Sequence, residues 1–252
     1  MTPSRLTTEH VREEYRRQSD QIRDYEYARW LRTRRDWEDY RMMYAFLDAE
    51  LEDAPLTEVL EVGPGPGTWT RLLLGKAPDA HCVLVDVSET MLAQAMVRLG
   101  RRHQLTYVAQ DFLETDIQGR SFLLSARALE YVPDKLAFVA RARQALRPGG
   151  QGLVITKNPG FFGRALGRRI GRSNPLLHTE QIDARSLTAL LTEAGFVDVQ
   201  TRPVVIRLPY RLRLHGLGRL LWCGLRRTGL NAFTTLFCEA YAVRFAAPDP
   251  RR

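Results

Sequence analysis

The residues best suited to chemistry lie in the run VLEVGPGPGTWT, residues 59–70. Gly63, Gly65 and Gly67 fall where an apolar, β-branched stretch gives way to a helical one. A backbone bare of Cβ atoms at such a turn presses close to a ligand and presents N–H groups to it. A dinucleotide fingerprint, G-x-G-x-x-G, would require glycine at position 68, where Thr68 stands. The spacing is instead E-x-G-x-G-x-G, with Glu61 two residues before Gly63. A carboxylate there repels a pyrophosphate and suits a cationic ammonium. Two further acids stand at the ends of the next apolar runs. Asp86 closes HCVLVD, where a carboxylate can accept both hydroxyls of a ribose. Asp111 closes LTYVAQD and is followed by Phe112, an acceptor and a ring beside the place a purine would take. Each acid alone would serve as a helix cap, but a glycine turn and two acids at three successive strand ends mark a ligand site.

The elements that must carry these residues follow from the apolar pattern. TEVLEV (57–62), HCVLVD (81–86), LTYVAQD (105–111), SFLLSA (121–126) and GLVITK (152–157) read as buried strands. Helices alternate with them: TWTRLLLGK, ETMLAQAMVRLG, the stretch Lys135–Leu146 before Pro148-Gly149-Gly150, and ARSLTALLTEAGF (184–196). This alternation predicts an α/β fold built on a doubly wound, mostly parallel sheet. VDVQTRPVVIR (197–207), with Pro203 marking an edge or bulge, and EAYAVRF (239–245) complete the strands. Residues 8–52 read as one or two amphipathic helices, so 1–54 is expected to form an N-terminal helical arm or lid and 55–252 the ligand-binding domain. A Leu- and Arg-rich helical insertion, about 208–236, precedes the last strand.

Composition excludes several classes. With 44% hydrophobic and 26% charged residues in 252, the chain is neither disordered nor fibrous. Three scattered cysteines without a CxxC predict no zinc site and no disulfide framework. Arginines interrupt every apolar stretch and no basic-then-apolar leader opens the chain, so a cytoplasmic protein is expected. The net charge of +8 sits almost wholly in residues 160–230, where twelve arginines face four acids. Such an excess suits an acidic partner: a phosphorylated substrate, an anionic membrane or nucleic acid.

Over residues 57 to about 157 the chain resembles the class I S-adenosylmethionine-dependent methyltransferases, especially their small-molecule branch. EVGPGPG looks like the first motif of that family, VDVSETMLAQA like its second, AQDF like its third and ALRPGG like the turn before its fifth strand. The resemblance implies a seven-stranded sheet with the last strand antiparallel, and S-adenosyl-L-methionine as cofactor. It implies that the methionine moiety lies near Glu61 to Gly67, the ribose on Asp86, and adenine near Met91, Asp111 and Phe112. One departure is Phe122-Leu123, where the family often has Phe-Asp.

The implied reaction needs an acceptor held in line with a methyl group, and a base only if the nucleophile must lose a proton. Arg127 and Lys157, after the fourth and fifth strands, are expected to form a cationic clamp on a substrate phosphate or carboxylate, unless Glu130 or Asp134 neutralises them. His178 is the expected base or orienting group, and Tyr15, Tyr25 and Tyr131 the expected acceptor contacts, with no metal ligands. Asn158-Pro159-Gly160-Phe161 is similar to a motif of enzymes that methylate nucleic-acid bases, but it follows the wrong strand. The expected substrate is therefore a small molecule, anionic or lipid-linked, rather than nucleic acid. An RNA methyltransferase and a catalytically silent binding protein are the alternatives. Residues 208–236 are expected either to touch a membrane peripherally or to pack on the protein itself or a homodimer partner.

Overall fold

The computed structural model describes residues 7–21, 25–100, 102–162, 181–207, 215–225 and 232–250. Seven strands form one sheet in the order β3-β2-β1-β4-β5-β7-β6. They are β1 (Glu58–Val62), β2 (His81–Asp86), β3 (Leu105–Ala109), β4 (Arg120–Ala126), β5 (Leu146–Lys157), β6 (Val197–Ile206) and β7 (Cys238–Ala246). The first five are parallel neighbours, and β7 runs antiparallel to both β5 and β6. The expected sheet, last strand included, is the one observed. Register brings the carboxyl ends together: Val62 stands opposite Val85, Asp86 opposite Ala109, and Ala126 opposite Ile155. The loops leaving β1 to β5 are thereby gathered along one edge of the sheet, where open α/β folds bind ligands.

Helices α3 (Thr68–Lys76), α4 (Glu89–Leu99), α5 (Lys135–Ala145) and α6 (Ala184–Glu193) provide the crossovers. Ser88, Asp134 and Asp183 cap the N-termini of α4, α5 and α6, their side chains accepting from Met91, Ala137 and Ser186 N–H. The fifth strand begins six residues earlier than expected, at Leu146, and passes through Pro148-Gly149-Gly150 as an irregularity in the β4–β5 ladder. A Cβ at Gly150 would lie 2.8 Å from the Arg120 carbonyl oxygen, so the close crossing itself demands glycine. Pro203 sits in β6, an edge strand, at a register shift, which satisfies both expectations for it.

The N-terminal stretch is three pieces: α1 (Thr8–Gln21), a π-helical turn (Tyr27–Leu31) and α2 (Arg34–Glu50). The break before α2 is set by Thr33, whose hydroxyl oxygen accepts the Asp36 N–H. Met42, Met43, Phe46 and Leu47 of α2 are buried in the same core as the sheet. In the expected insertion, α7 (His215–Leu225) and α8 (Ala232–Phe237) are described, and 208–214 and 226–231 lie outside the described residues. α7 lies against β6 and α2 with Trp222 buried, while Leu220 and Leu221 remain exposed. Among the described residues, no helix is long and apolar enough to cross a membrane.

Candidate active site

A cavity of about 1040 Å³, counted with its open mouth, lies over the carboxyl ends of β1 to β4. The glycine turn forms one wall. Gly63, at φ +69°, passes so close to the segment after β4 that a Cβ there would sit 2.3 Å from Ala128 Cβ. Gly65, at φ +54°, lines the cavity and has no other residue within 4 Å of where its Cβ would stand. Gly63→Ala is expected to lower stability by about 1–3 kcal/mol and weaken cofactor binding with it, since both positive φ and overpacking oppose the methyl. Thermal unfolding and calorimetry on one preparation check both, and an unchanged variant would show that the turn yields.

The Asp86 carboxylate holds that turn in place. Its Oδ2 accepts the Gly65 N–H at 3.0 Å and its Oδ1 the Ser88 N–H at 2.9 Å. Burial pushes its pKa up to about 6, and the two N–H donors offset this only in part. Met91, Asp111 and Phe112 line the cavity farther along, as expected, with Phe112 buried edge-on against Phe138. Asp111 accepts from Leu113 N–H and from the Thr8 hydroxyl at 2.7 Å. This last bond, with the bond from Arg12 Nε to the Val87 carbonyl at 3.3 Å, ties α1 across the ends of β2 and β3.

Glu61 differs from expectation. It is 1% exposed and does not line the cavity, because at Glu61 the chain is still inside β1 and the lining begins at Val62. The Thr70 hydroxyl donates to its Oε2 at 2.6 Å, bracing the turn from beneath. Burial, with the charge of Asp86 adding to it, raises Glu61 to about 7.

The expected cationic clamp is corrected most. Arg127 and Lys157 do not form a free clamp. Arg127 Nη1 lies 2.9 Å from Glu239 Oε2 and its Nε 3.4 Å from Glu130 Oε2, while Lys157 Nζ lies 3.0 Å from Glu130 Oε1. Glu130 is the neutralising partner weighed from the sequence, and Asp134 caps α5 instead. Burial opposes the charge on Arg127, yet Glu130 and Glu239 together raise its pKa. The chain of pairs continues from Glu239 to Arg207 at 3.8 Å and from Arg207 Nε to Asp39 Oδ1 at 3.1 Å. Arg127 lines the cavity and takes φ +71°, whereas Lys157 lies behind it. Tyr25 and Tyr131 line the cavity; the Tyr15 side chain and His178 fall outside the described residues.

The residues present fit S-adenosylmethionine: a bare-backbone turn after β1, a buried carboxylate at the end of β2 and a buried ring after β3, all on one cavity. Comparison with known proteins agrees. A family model described as a methyltransferase domain matches residues 59–150. The trans-aconitate 2-methyltransferase of Rhodopseudomonas palustris strain HaA2 is 30% identical over 214 residues, spanning 77% of this chain and 79% of that protein. The chain belongs to the S-adenosylmethionine-dependent methyltransferase family. The namesake enzyme of Variovorax paradoxus is 38% identical over 108 residues, 40% of this methyltransferase and 39% of the relative's own length. Among solved structures, phosphoethanolamine N-methyltransferase 2 of Haemonchus contortus, in complex with S-adenosyl-L-methionine, shares the fold with a TM-score of 0.59 at 18% identity, over 84% of this chain and 53% of that one.

Thr8, Arg12, Arg29, Trp30 and Glu239 join the site without standing in any of the motifs named from the sequence. Arg29 and Trp30 share the π-helical turn and line the cavity mouth. The turn is held there from both sides. Glu26 pairs with Arg71 of α3 at 2.9 Å and Arg98 of α4 at 2.6 Å, and the Trp30 ring lies edge-on to Trp69 with centroids 5.5 Å apart. No pattern in the sequence announces this, because each contact joins residues far apart in the chain.

Proposed function

We propose that this methyltransferase acts on a small molecule and places the methyl on a carboxylate oxygen. The observation that carries the reading is that, among the described residues, every carboxylate lining the cavity already has a partner. Asp86 holds the glycine turn, Asp111 holds Thr8 and Leu113, and Glu130 lies between two cations. Arg127 and Lys157 hold Glu130 below the usual carboxylate range despite its burial. A group so held is a poor proton acceptor. An acceptor that arrives already ionised suits such a site, and relatives that span most of the chain carry the name trans-aconitate 2-methyltransferase.

Bound here, S-adenosylmethionine would supply a methyl group carried on positively charged sulfur, and transfer of that methyl to an already ionised carboxylate oxygen would need no proton to leave the acceptor. The protein's part is alignment and exclusion of water. The glycine turn and Asp86 fix the methyl donor. The Arg127–Glu130–Lys157 pairs give the far wall a fixed shape, and α1 with the π-helical turn closes the top.

The test is methyl transfer from labelled cofactor to trans-aconitate and, separately, to phosphoethanolamine. The expected product is an alkali-labile ester of the carboxylate, formed at a rate that stays flat with pH above neutrality. Transfer to the amine, at a rate rising with pH as the ammonium deprotonates, would overturn the reading.

A further inference from the structure

Among the described residues, Arg29 is the cation lining the cavity that has no carboxylate partner. Arg127, the other cavity arginine, is taken by Glu130 and Glu239. The guanidinium carbon of Arg29 lies 4.2 Å from the centroid of the Trp30 ring. That ring is itself fixed, buried against Trp69 and Tyr40. One turn earlier Glu26 anchors the same segment to Arg71 and Arg98. The guanidinium carbon is thereby held over an indole. A guanidinium so placed keeps N–H donors for an oxyanion, which it binds in a bidentate manner.

We infer that Arg29 is the anchor for an anionic group of the acceptor, a carboxylate or a phosphate, remote from the atom that receives the methyl. The inference takes from the proposed function only that this cavity holds the acceptor. Remoteness follows from the chemistry. A guanidinium paired with the attacking oxygen would withdraw the electron density that makes it a nucleophile, and an ester carries no charge to retain that contact. A second anionic group keeps its pairing before, during and after transfer. Arg29 thus selects acceptors that carry an anionic group besides the atom receiving the methyl, phosphate-bearing or polycarboxylate molecules, over neutral ones.

The experiment uses the full chain saturated with S-adenosylhomocysteine and measures binding of trans-aconitate and of phosphoethanolamine by calorimetry. Wild type is expected to bind at least one of them, and Arg29→Gln to weaken that binding about tenfold to thirtyfold. Arg29→Lys should recover part of the loss, because it restores the charge without the fork of donors. Affinity for S-adenosylhomocysteine should stay within about twofold in both variants, which shows that the cofactor half is intact. Unchanged binding in Arg29→Gln, or no binding of either probe to wild type, overturns the inference. The two proposals fail separately. Binding of phosphoethanolamine alone, lost in Arg29→Gln, keeps the anchor and removes the carboxylate reading; ester formation on trans-aconitate with KM unchanged in Arg29→Gln does the reverse.

Discussion

Replacing Asp86 by alanine is expected to weaken S-adenosylmethionine binding by a factor on the order of a hundred or more while leaving the sheet folded. Each Asp86 oxygen accepts one backbone N–H, from Gly65 or Ser88, and retains the capacity to accept a ribose hydroxyl as well. A hydrogen bond to a charged acceptor is worth about 1.5–3 kcal/mol, and two are lost together. The glycine turn also loses the acceptor that holds Gly65. Asp86→Asn, which keeps one acceptor oxygen, should fall between. Because burial raises Asp86 to about 6, affinity should be level above neutrality and then drop about tenfold for each pH unit below 6. The effect on stability has the opposite sign from that of a paired surface carboxylate. Between the ordinary value of 3.8 and about 6 the folded chain holds the proton more tightly than the unfolded one, so stability falls as pH rises through that window. Glu61, raised from 4.5 to about 7, acts in the same direction. Calorimetric titration from pH 5 to 8 checks the binding side. Affinity that stays level down to pH 5 would mean that the ribose is held elsewhere.

The glycine turn and the acids at the strand ends were legible in the sequence and the pairing of the cations beyond them was not, for a reason visible in particular residues. Gly63, Gly65, Asp86, Asp111 and Phe112 each sit at the end of a β-strand or just after it, and a parallel sheet of apolar strands places such ends side by side whatever the rest of the chain does. Local spacing therefore carries the geometry. Glu61 lies one residue short of Val62, where the lining begins, still inside β1. At the acceptor end, by contrast, the function of a residue depends on its partner. Arg127 and Arg29 look alike as letters. One is neutralised by Glu239, 112 residues away, and the other is left without a carboxylate on a π-helical turn. Arg207 finds Asp39 across 168 residues, so the arginine excess of 160–230 also overstates what is offered to a ligand. The helix break at Thr33 did have a local signal, the capping sequence Thr33-Arg34-Arg35-Asp36, outweighed by the unbroken apolar periodicity around it.

Glu239→Ala is expected to cause the largest loss of stability. Glu239 is 5% exposed at the start of β7, and its carboxylate lies between two guanidinium groups, those of Arg127 and Arg207. Removing it leaves Arg127 with Glu130 at 3.4 Å and Arg207 with Asp39, three buried cations then sharing two carboxylates once Lys157 is counted. Stripping one partner from a buried ion pair costs about 3–5 kcal/mol, because the remaining charge has lost both its water and its counter-ion. For a chain of this length that is a fall in Tm of roughly 10–15 °C. Cofactor affinity should fall too: Arg127 takes φ +71°, and its neighbour Ala128 packs against Gly63, so loosening Arg127 disturbs the floor of the glycine turn. Burial would raise the Glu239 pKa, but Arg127 and then Arg207 hold it well below the ordinary 4.5. With the folded value depressed, its contribution is present above pH 4.5 and is lost as pH falls through the folded value, so wild type and variant should converge on acidification. Denaturant unfolding at pH 7.5 and at acidic pH reads both effects. A second variant separates lost pairing from lost packing: Arg127→Met combined with Glu239→Leu removes the charges together and should recover most of the stability, though not the shape of the acceptor wall. If Glu239→Ala alone unfolds within about 1 kcal/mol of wild type, water reaches these guanidinium groups, and the wall they form is not the dry, fixed surface that in-line transfer requires.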